Sequence, residues 1–297
     1  MTFRPRMLYS AKALGAFVAK RQGVSLAKIV GSGIAGIARL FTLPFGGYYG
    51  KRIAAQAAMS LTPTLRVNTP RGVLKYPAPS PAAVKHASHL VTREPDTIAW
   101  LDEFVRSGDY LWDVGANIGA YALYAALRDG VTVTAFEPMP GNHGVLTDAL
   151  IANGLGDRVT ALPMGLSDHT GLVTIHLIDT EAGTGLHALG EPVNVRGRFE
   201  AAASITVPVI RGDEAVARFG IARPTHIKID VDGHEMKVLQ GLSGVLDGVK
   251  SVWIETTPDA DKSGANAEID SFLAAHGFKR GTLAQPVKGE NTLFVKA

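Results

Sequence analysis

From Tyr110 onward, short strand-like runs alternate with helical stretches, and that alternation limits the fold more than any other feature of the chain. Residues 110–114, 131–136, 159–163, 225–231 and 251–255 read as strands; residues 120–127, 144–153, 213–219, 234–242 and 265–276 read as helices. Runs 172–178 and 205–210 are further strands. Strands spaced by helices of this length form right-handed βαβ units, so the expected class is α/β with a mostly parallel sheet. The last two strand-like runs, 278–282 and 291–295, are expected to close the sheet with an antiparallel edge.

The first third is different in kind. No Asp or Glu precedes Glu94, while residues 1–93 carry 14 Lys and Arg; the remainder has 27 acidic against 16 basic residues. A basic, acid-free segment joined to an acidic domain points to a surface that meets an anion, either phospholipid or nucleic acid. Within residues 10–43, Leu26, Ile29, Val30, Ile37, Leu40 and Phe41 recur at helical spacing, with Lys28, Ser32 and Arg39 opposite. This basic amphipathic helix can lie in a membrane interface, pack on the following domain, or pair two subunits as a homodimer. The run 13–19 is barely long enough for a secretory signal and no small-residue cleavage pattern follows it, while an organelle transit peptide stays open. The stretch 29–50 holds six Gly, Pro44 and a central Arg39, which argues against a spanning helix. A cytoplasmic protein is expected, with packing of the apolar stripe on the following domain or on a second subunit as the favoured reading and peripheral membrane contact as the alternative. The expected domains are a helical segment, 1–62, and an α/β domain, 63–297, opened by an extended Pro-rich lead-in over 63–81 with short strand-like pieces at 65–68 and 73–76. A helix over 97–105 follows, capped by Asp96 or Thr97.

Where the first strand turns into a helix, the chain reads Asp113-Val-Gly115-Ala-Asn117-Ile-Gly119. Gly115 permits a tight turn, and Gly119 lets the helix approach the strand. The helix N-terminus then offers free N–H groups to a ligand. Glu137 ends the next strand, 24 residues after Asp113, where a carboxylate can accept hydrogen bonds from ribose hydroxyls. A dinucleotide site wants glycine at the first turn positions so that a pyrophosphate can lie against the backbone. Here a carboxylate leads the bend, which repels a pyrophosphate and suits the amino group of a methionine-type moiety. Gly31-Ser-Gly33-Ile-Ala-Gly36 also matches G-x-G-x-x-G, but it lacks a preceding strand and a following acid, so it reads as a glycine-flecked helix or turn.

Taken in order, Asp113–Gly119, Phe136-Glu137-Pro138, Gly165-Leu-Ser167-Asp168 with Gly171, and Lys228-Ile-Asp230-Val-Asp232-Gly233-His234-Glu235 with Leu239 and Gly241 resemble the FkbM family of methyltransferases. Glu94-Pro95-Asp96-Thr97 ahead of the first strand fits the same pattern, and the resemblance covers about residues 65–297. It implies a class I, Rossmann-like methyltransferase fold and S-adenosylmethionine as donor, with S-adenosylhomocysteine as product. It also implies O-methylation of sugar or secondary-metabolite hydroxyls. On these positions it implies Ser167 and Asp168 near the adenine and Asn142 beside the ribose. The chain departs from the pattern at Asp232, where Glu is common, and at His234, where a small residue is.

The acceptor end is expected around Lys228 and Asp230, which alternate onto one face of a central strand with Asp232 just beyond. Charges there are costly unless paired or placed at the open C-terminal end, where such sheets bind ligands. Asp230 then either faces the transferable methyl or forms a structural pair with Lys228. His234 is either a base for an acceptor hydroxyl or a surface residue at a helix start. The loop 179–204 is the expected acceptor loop, with His187 as a minor candidate base. Asp230, Asp232, Glu235 and Glu255 offer oxygen ligands for Mg²⁺, but no spacing demands it and no metal is expected. The chain has no Cys, which excludes disulfides and a thiolate nucleophile, including covalent pyrimidine C5 chemistry. A nucleic-acid methyltransferase using the basic segment is the alternative; no Asn/Asp-Pro-Pro-aromatic loop supports it.

Overall fold

The computed structural model describes residues 29–40, 46–194, 197–256, 264–285, 287 and 289–297. The chain divides into two compact units, Met1–Thr62 and Pro63–Ala297. In the first, residues 29–40 form helix α1 and Gly47–Leu61 form α2. The literal glycine motif of Gly31, Gly33 and Gly36 lies inside α1, so it is helix and not a phosphate loop. Residues 10–28 and 41–43 of the expected helical stretch, with Leu26 and Phe41, lie outside the described residues. Among the described residues no helix is long and apolar enough to cross a membrane.

The second unit opens on an antiparallel hairpin, β1 (Thr64–Thr69) and β2 (Gly72–Pro77), where an extended lead-in was expected. Leu74 and Tyr76 are fully buried, and this burial is why the segment folds back instead of running on. Helices α3 (Pro81–Ser88), α4 (Leu90–Arg93) and α5 (Pro95–Phe104) follow. The last begins two residues earlier than expected, with Glu94 as N-cap in place of Asp96 or Thr97. Strand β3 (Tyr110–Val114), helix α6 (Ala120–Ala126), strand β4 (Thr132–Phe136), helix α7 (Pro140–Asn153) and strand β5 (Val159–Leu162) then make two βαβ units.

Between β5 and the next strand of the main sheet sits an insertion: β6 (Gly165–Leu166), β7 (Gly171–Leu177), β8 (Ala188–Leu189), β9 (Val193–Asn194), β10 (Gly197–Arg198) and β11 (Ala203–Ile210). Four of these strands form a separate sheet in the order β6-β11-β7-β8, so the runs read as 172–178 and 205–210 belong to it and not to the main sheet. Helix α8 (Gly212–Phe219), strand β12 (His226–Ile229), helix α9 (Glu235–Leu242), strand β13 (Ser251–Glu255), helix α10 (Ala265–Ala275), β14 (Phe278–Arg280) and β15 (Asn291–Lys296) complete the unit.

The main sheet has seven strands in the order β14-β15-β13-β12-β3-β4-β5. β13, β12, β3, β4 and β5 run parallel, while β15 is antiparallel to β13 and to β14. This is the class I methyltransferase arrangement that the resemblance implied, antiparallel edge included. Alternate residues feed two cores: Leu111, Val133 and Ala135 join α5, α6 and α7 on one face, and Trp112, Ile227, Ile229 and Ile254 join α8, α9 and α10 on the other. β12 is buried along its whole length and ends at Ile229, shorter than the run 225–231, because the chain turns at once: Asp232 and Gly233 both take positive φ. Trp100 stacks on Trp253 at 5.6 Å, and Trp253 donates to Thr97 Oγ1 at 2.9 Å. These contacts fix α5 against β13 and carry Arg93 and Glu94 to the strand ends.

Candidate active site

The bend after β3 is built by three positive-φ residues, Gly115 (80°), Asn117 (50°) and Gly119 (76°). Gly115 lies so close to β12 that a Cβ there would stand 1.9 Å from the Asp230 carbonyl oxygen. At Gly119 the obstacle is not the strand, as expected, but Leu146 of α7, 2.2 Å from an added Cβ. Both glycines therefore remove atoms from a crowded junction. Asp113, at the strand end, is completely buried and neither carboxylate oxygen finds a hydrogen-bond partner. Burial raises its pKa to about 6 against the opposing pull of Lys228.

Glu137 stands at the end of β4, beside the bend. It accepts hydrogen bonds from the backbone N–H of Asn117 (2.7 Å) and of Met139 (2.8 Å), which ties the two strand ends together. Burial, only partly offset by those donors, raises its carboxyl to about 7. Asn142, in the first turn of α7, accepts from Gly183 N–H (2.6 Å) and donates to the Thr184 carbonyl (3.1 Å). The same loop is held by Ser80, which donates to the Ala182 carbonyl, and by Asp232, which accepts from Leu186 N–H at 2.7 Å.

These groups surround one cavity of about 620 Å³, lined among others by Gly115, Asn117, Glu137, Asn142, Asp230 and Asp232. It opens at the C-terminal ends of β3, β4 and β12, where open α/β sheets bind ligands. Its floor is rich in carboxyls. Asp230 pairs with Lys228 at 2.9 Å, and Lys228 lies beneath it, 1% exposed, with its ammonium 5.1 Å from the centre of the Tyr121 ring. Burial opposes the lysine charge, but Asp230, Asp113 and Glu94 outweigh it and hold the ammonium above its ordinary value. Asp230 is correspondingly held low by Lys228, against its own burial. Burial and then Asp230 push Asp232 up to about 7, and burial, Asp230, Asp232 and Glu235 push Glu255 to about 9.

These raised carboxyls have a stability consequence. Asp113, Glu137, Asp232 and Glu255 bind protons more tightly folded than unfolded, while His86, His187, His226 and His234 bind them less tightly, so above about pH 7, where the histidines are neutral in both states, the native state holds more protons and its stability falls as pH rises. The ligand-free protein is expected to melt several degrees lower at about pH 8.5 than at about pH 7. A melting temperature that rises across this window would mean that the four carboxyls are not buried together.

The structure gathers Gly115, Asn117, Glu137, Asn142 and Asp230 at one cavity; Asp113, completely buried, and Gly119, packed on Leu146, lie behind it and outside its lining, and Lys228, His234, Ser167 and Asp168 lie elsewhere. Lys228 is under the floor. His234 caps α9 outside the lining; its Nε2 meets Ser167 Oγ at 3.2 Å, and burial followed by Lys237 lowers its pKa to about 4. Ser167 Oγ also bonds Asp168, which pairs with His169 at 2.7 Å, so this cluster lies at the end of β6, apart from the cavity lining. His187 is in the lining, and burial lowers its pKa, which favours the neutral imidazole. Lys85, His86, Arg93, Glu94 and Glu290 also line the cavity and were not among the expected site residues. Lys85, His86 and Arg93 belong to α3 and α4 and Glu94 joins α4 to α5, between the expected lead-in and the helix expected over 97–105, and nothing in their spacing says that they fold over the strand ends.

The methyltransferase FkbM domain model matches residues 113–280, more than half of the chain. Among curated proteins, the hexuronic acid methyltransferase AglP of Haloferax volcanii is 33% identical over 168 residues, covering 57% of this chain and 64% of that protein. The chain thus spans slightly less than two thirds of that relative. The 31-O-demethyl-FK506 methyltransferase FkbM of Streptomyces tacrolimicus is 32% identical, covering 59% of this chain and 74% of that one. A solved methyltransferase FkbM from Methylobacillus flagellatus superposes with a TM-score of 0.43 at 15% identity, over 83% of this chain and 59% of that one. With the family's model running from the carboxylate that leads the glycine bend through to the edge of the main sheet, the chain belongs to the FkbM methyltransferases.

Proposed function

We propose that the protein transfers a methyl group from S-adenosylmethionine to a hydroxyl of a sugar or secondary metabolite. The observation that carries this reading is the meeting of the carboxylate-led glycine bend, Glu137 and Asp230 around one cavity. The residues present fit an adenosyl donor. Gly115 and Asn117 of the bend line the cavity, and Glu137 keeps acceptor capacity for ribose hydroxyls beyond its two backbone donors. Bound there, S-adenosylmethionine supplies an electrophilic methyl group on a sulfonium. The carboxyl-rich floor suits the positive charge of such a donor and repels a pyrophosphate.

A neutral alcohol is a poor nucleophile, so the acceptor hydroxyl must give up its proton as its oxygen takes the methyl group. Asp230, held ionised by Lys228, and Asp232, near neutrality in its titration, are the cavity carboxyls able to receive it. His234, with its low pKa and its place outside the lining, is the weaker base. The names of the two relatives, one acting on a hexuronic acid and one on an O-demethylated compound, support sugar or metabolite oxygen as the acceptor class.

Calorimetry with S-adenosylhomocysteine tests the donor half. The wild-type chain is expected to bind, and Glu137→Ala to weaken binding by about 1–3 kcal/mol through lost hydrogen bonds. Absence of measurable heat with the wild-type chain removes the proposal.

A further inference from the structure

Helix α1 presents Ile29, Val30, Ile34, Ile37 and Leu40, each more than half exposed, on one side, with Ser32 and Arg39 opposite. Five exposed large aliphatics on one face of a short helix are more than a solvated element carries. Three of the helix's residues are Gly31, Gly33 and Gly36, each of which lowers helix propensity relative to alanine. An isolated helix of this length and composition is marginal in water, so a surface that takes up its apolar face also stabilises its fold. Tyr48 and Tyr49 are exposed at the start of α2, followed by Lys51 and Arg52. Tyrosines next to basic residues suit a boundary between hydrocarbon and water.

Charge selects the occupant. Residues 1–62 carry nine Lys and Arg and no Asp or Glu. A second copy of this segment would bring like charge against like charge. A nucleic acid would satisfy the cations but offers no apolar bed for the five aliphatics. An anionic bilayer satisfies both. We propose that α1 and α2 dock the enzyme on the surface of an anionic phospholipid membrane, with the aliphatic face of α1 in the interface and Lys51 and Arg52 over lipid phosphates.

The test is sedimentation of the full chain with phosphatidylcholine vesicles that contain about one third phosphatidylglycerol, against pure phosphatidylcholine vesicles. Binding to the anionic vesicles is expected to be about tenfold or more tighter, and to weaken steeply with salt. Ile34→Asp with Ile37→Asp is expected to lower the partition about tenfold or more, and Lys51→Glu with Arg52→Glu to lower it by a similar factor on anionic vesicles alone. Both variants should keep wild-type affinity for S-adenosylhomocysteine, since none of these residues lines the cavity. The proposal is overturned by equal partition to both vesicle types, by no partition to either, or by light scattering that shows a stable dimer which the α1 variant dissociates without any lipid effect. Salt-dependent RNA binding that the α1 variant leaves intact, with no vesicle binding, overturns it as well.

Discussion

Replacing Gly115 by Ala is expected to abolish measurable donor binding and to lower folding stability by about 3 kcal/mol or more. Two costs add. The residue holds φ at +80°, where a side chain costs about 1–2 kcal/mol. The new Cβ also stands 1.9 Å from the Asp230 carbonyl oxygen, which is main chain and cannot rotate away, so β12 must shift. That shift moves the carboxylate of Asp230, the paired Lys228 and the cavity floor together. Gly241→Ala is the matched control. Its Cβ would meet the Ser167 carbonyl oxygen, also at 1.9 Å, but at the packing of α9 against the end of β6 and outside the cavity lining. Denaturant unfolding should show both variants destabilised, while calorimetry on the folded fraction should show donor affinity lost only in Gly115→Ala. Equal retention of affinity in both would mean that the bend is not the donor's cradle.

The same glycine shows how much of this site could be read from residue order. The bend announces itself through Asp113, Gly115 and Gly119 at the seam between a strand and a helix, and Glu137 follows at a distance fixed by one βαβ unit. Such signals are local: each needs only its own strand end and the next. The parallel strands were equally legible, because β3, β4 and β12 are short apolar runs whose burial follows from composition. What lay hidden was every feature set by long-range meeting. Leu146 as the neighbour of Gly119, Asn142 and Asp232 as tethers of the loop at Gly183–Leu186, and Arg93 and Glu94 at the cavity all join segments far apart in sequence. The strands of the first hairpin were legible as the strand-like pieces 65–68 and 73–76, but their pairing was not, because it is set by the register between them and by the burial of Leu74 and Tyr76. The separate sheet around β7 and β11 was missed because antiparallel and parallel strands of the same length look alike until their partners are known.

Lys228→Met is expected to cost about 3–5 kcal/mol at about pH 8, the range typical of breaking a buried ion pair from one side. Methionine nearly matches the lysine stem in volume, so the loss reports charge and not a cavity. Lys228 is the buried cation against which Asp230 is paired at 2.9 Å and toward which the fields of Asp113 and Glu94 converge. Without it those carboxyls face one another with no buried cation beneath them, and protonation relieves the repulsion. Asp113 already sits at about 6 with the lysine present, and removing the cation must raise it further. The penalty should therefore shrink as pH falls toward about 5, where protons replace the missing ammonium, and be largest where the carboxyls are forced to ionise. Adding Asp230→Leu to Lys228→Met removes one of the stranded charges and should recover part of the loss, a coupling that urea titration of the single and double variants measures directly. A loss below about 1 kcal/mol that does not change with pH would place Lys228 in solvent contact, where ion pairs count for little. The counter-charge for ionised Asp230 would then have to come from Arg93 in the cavity lining.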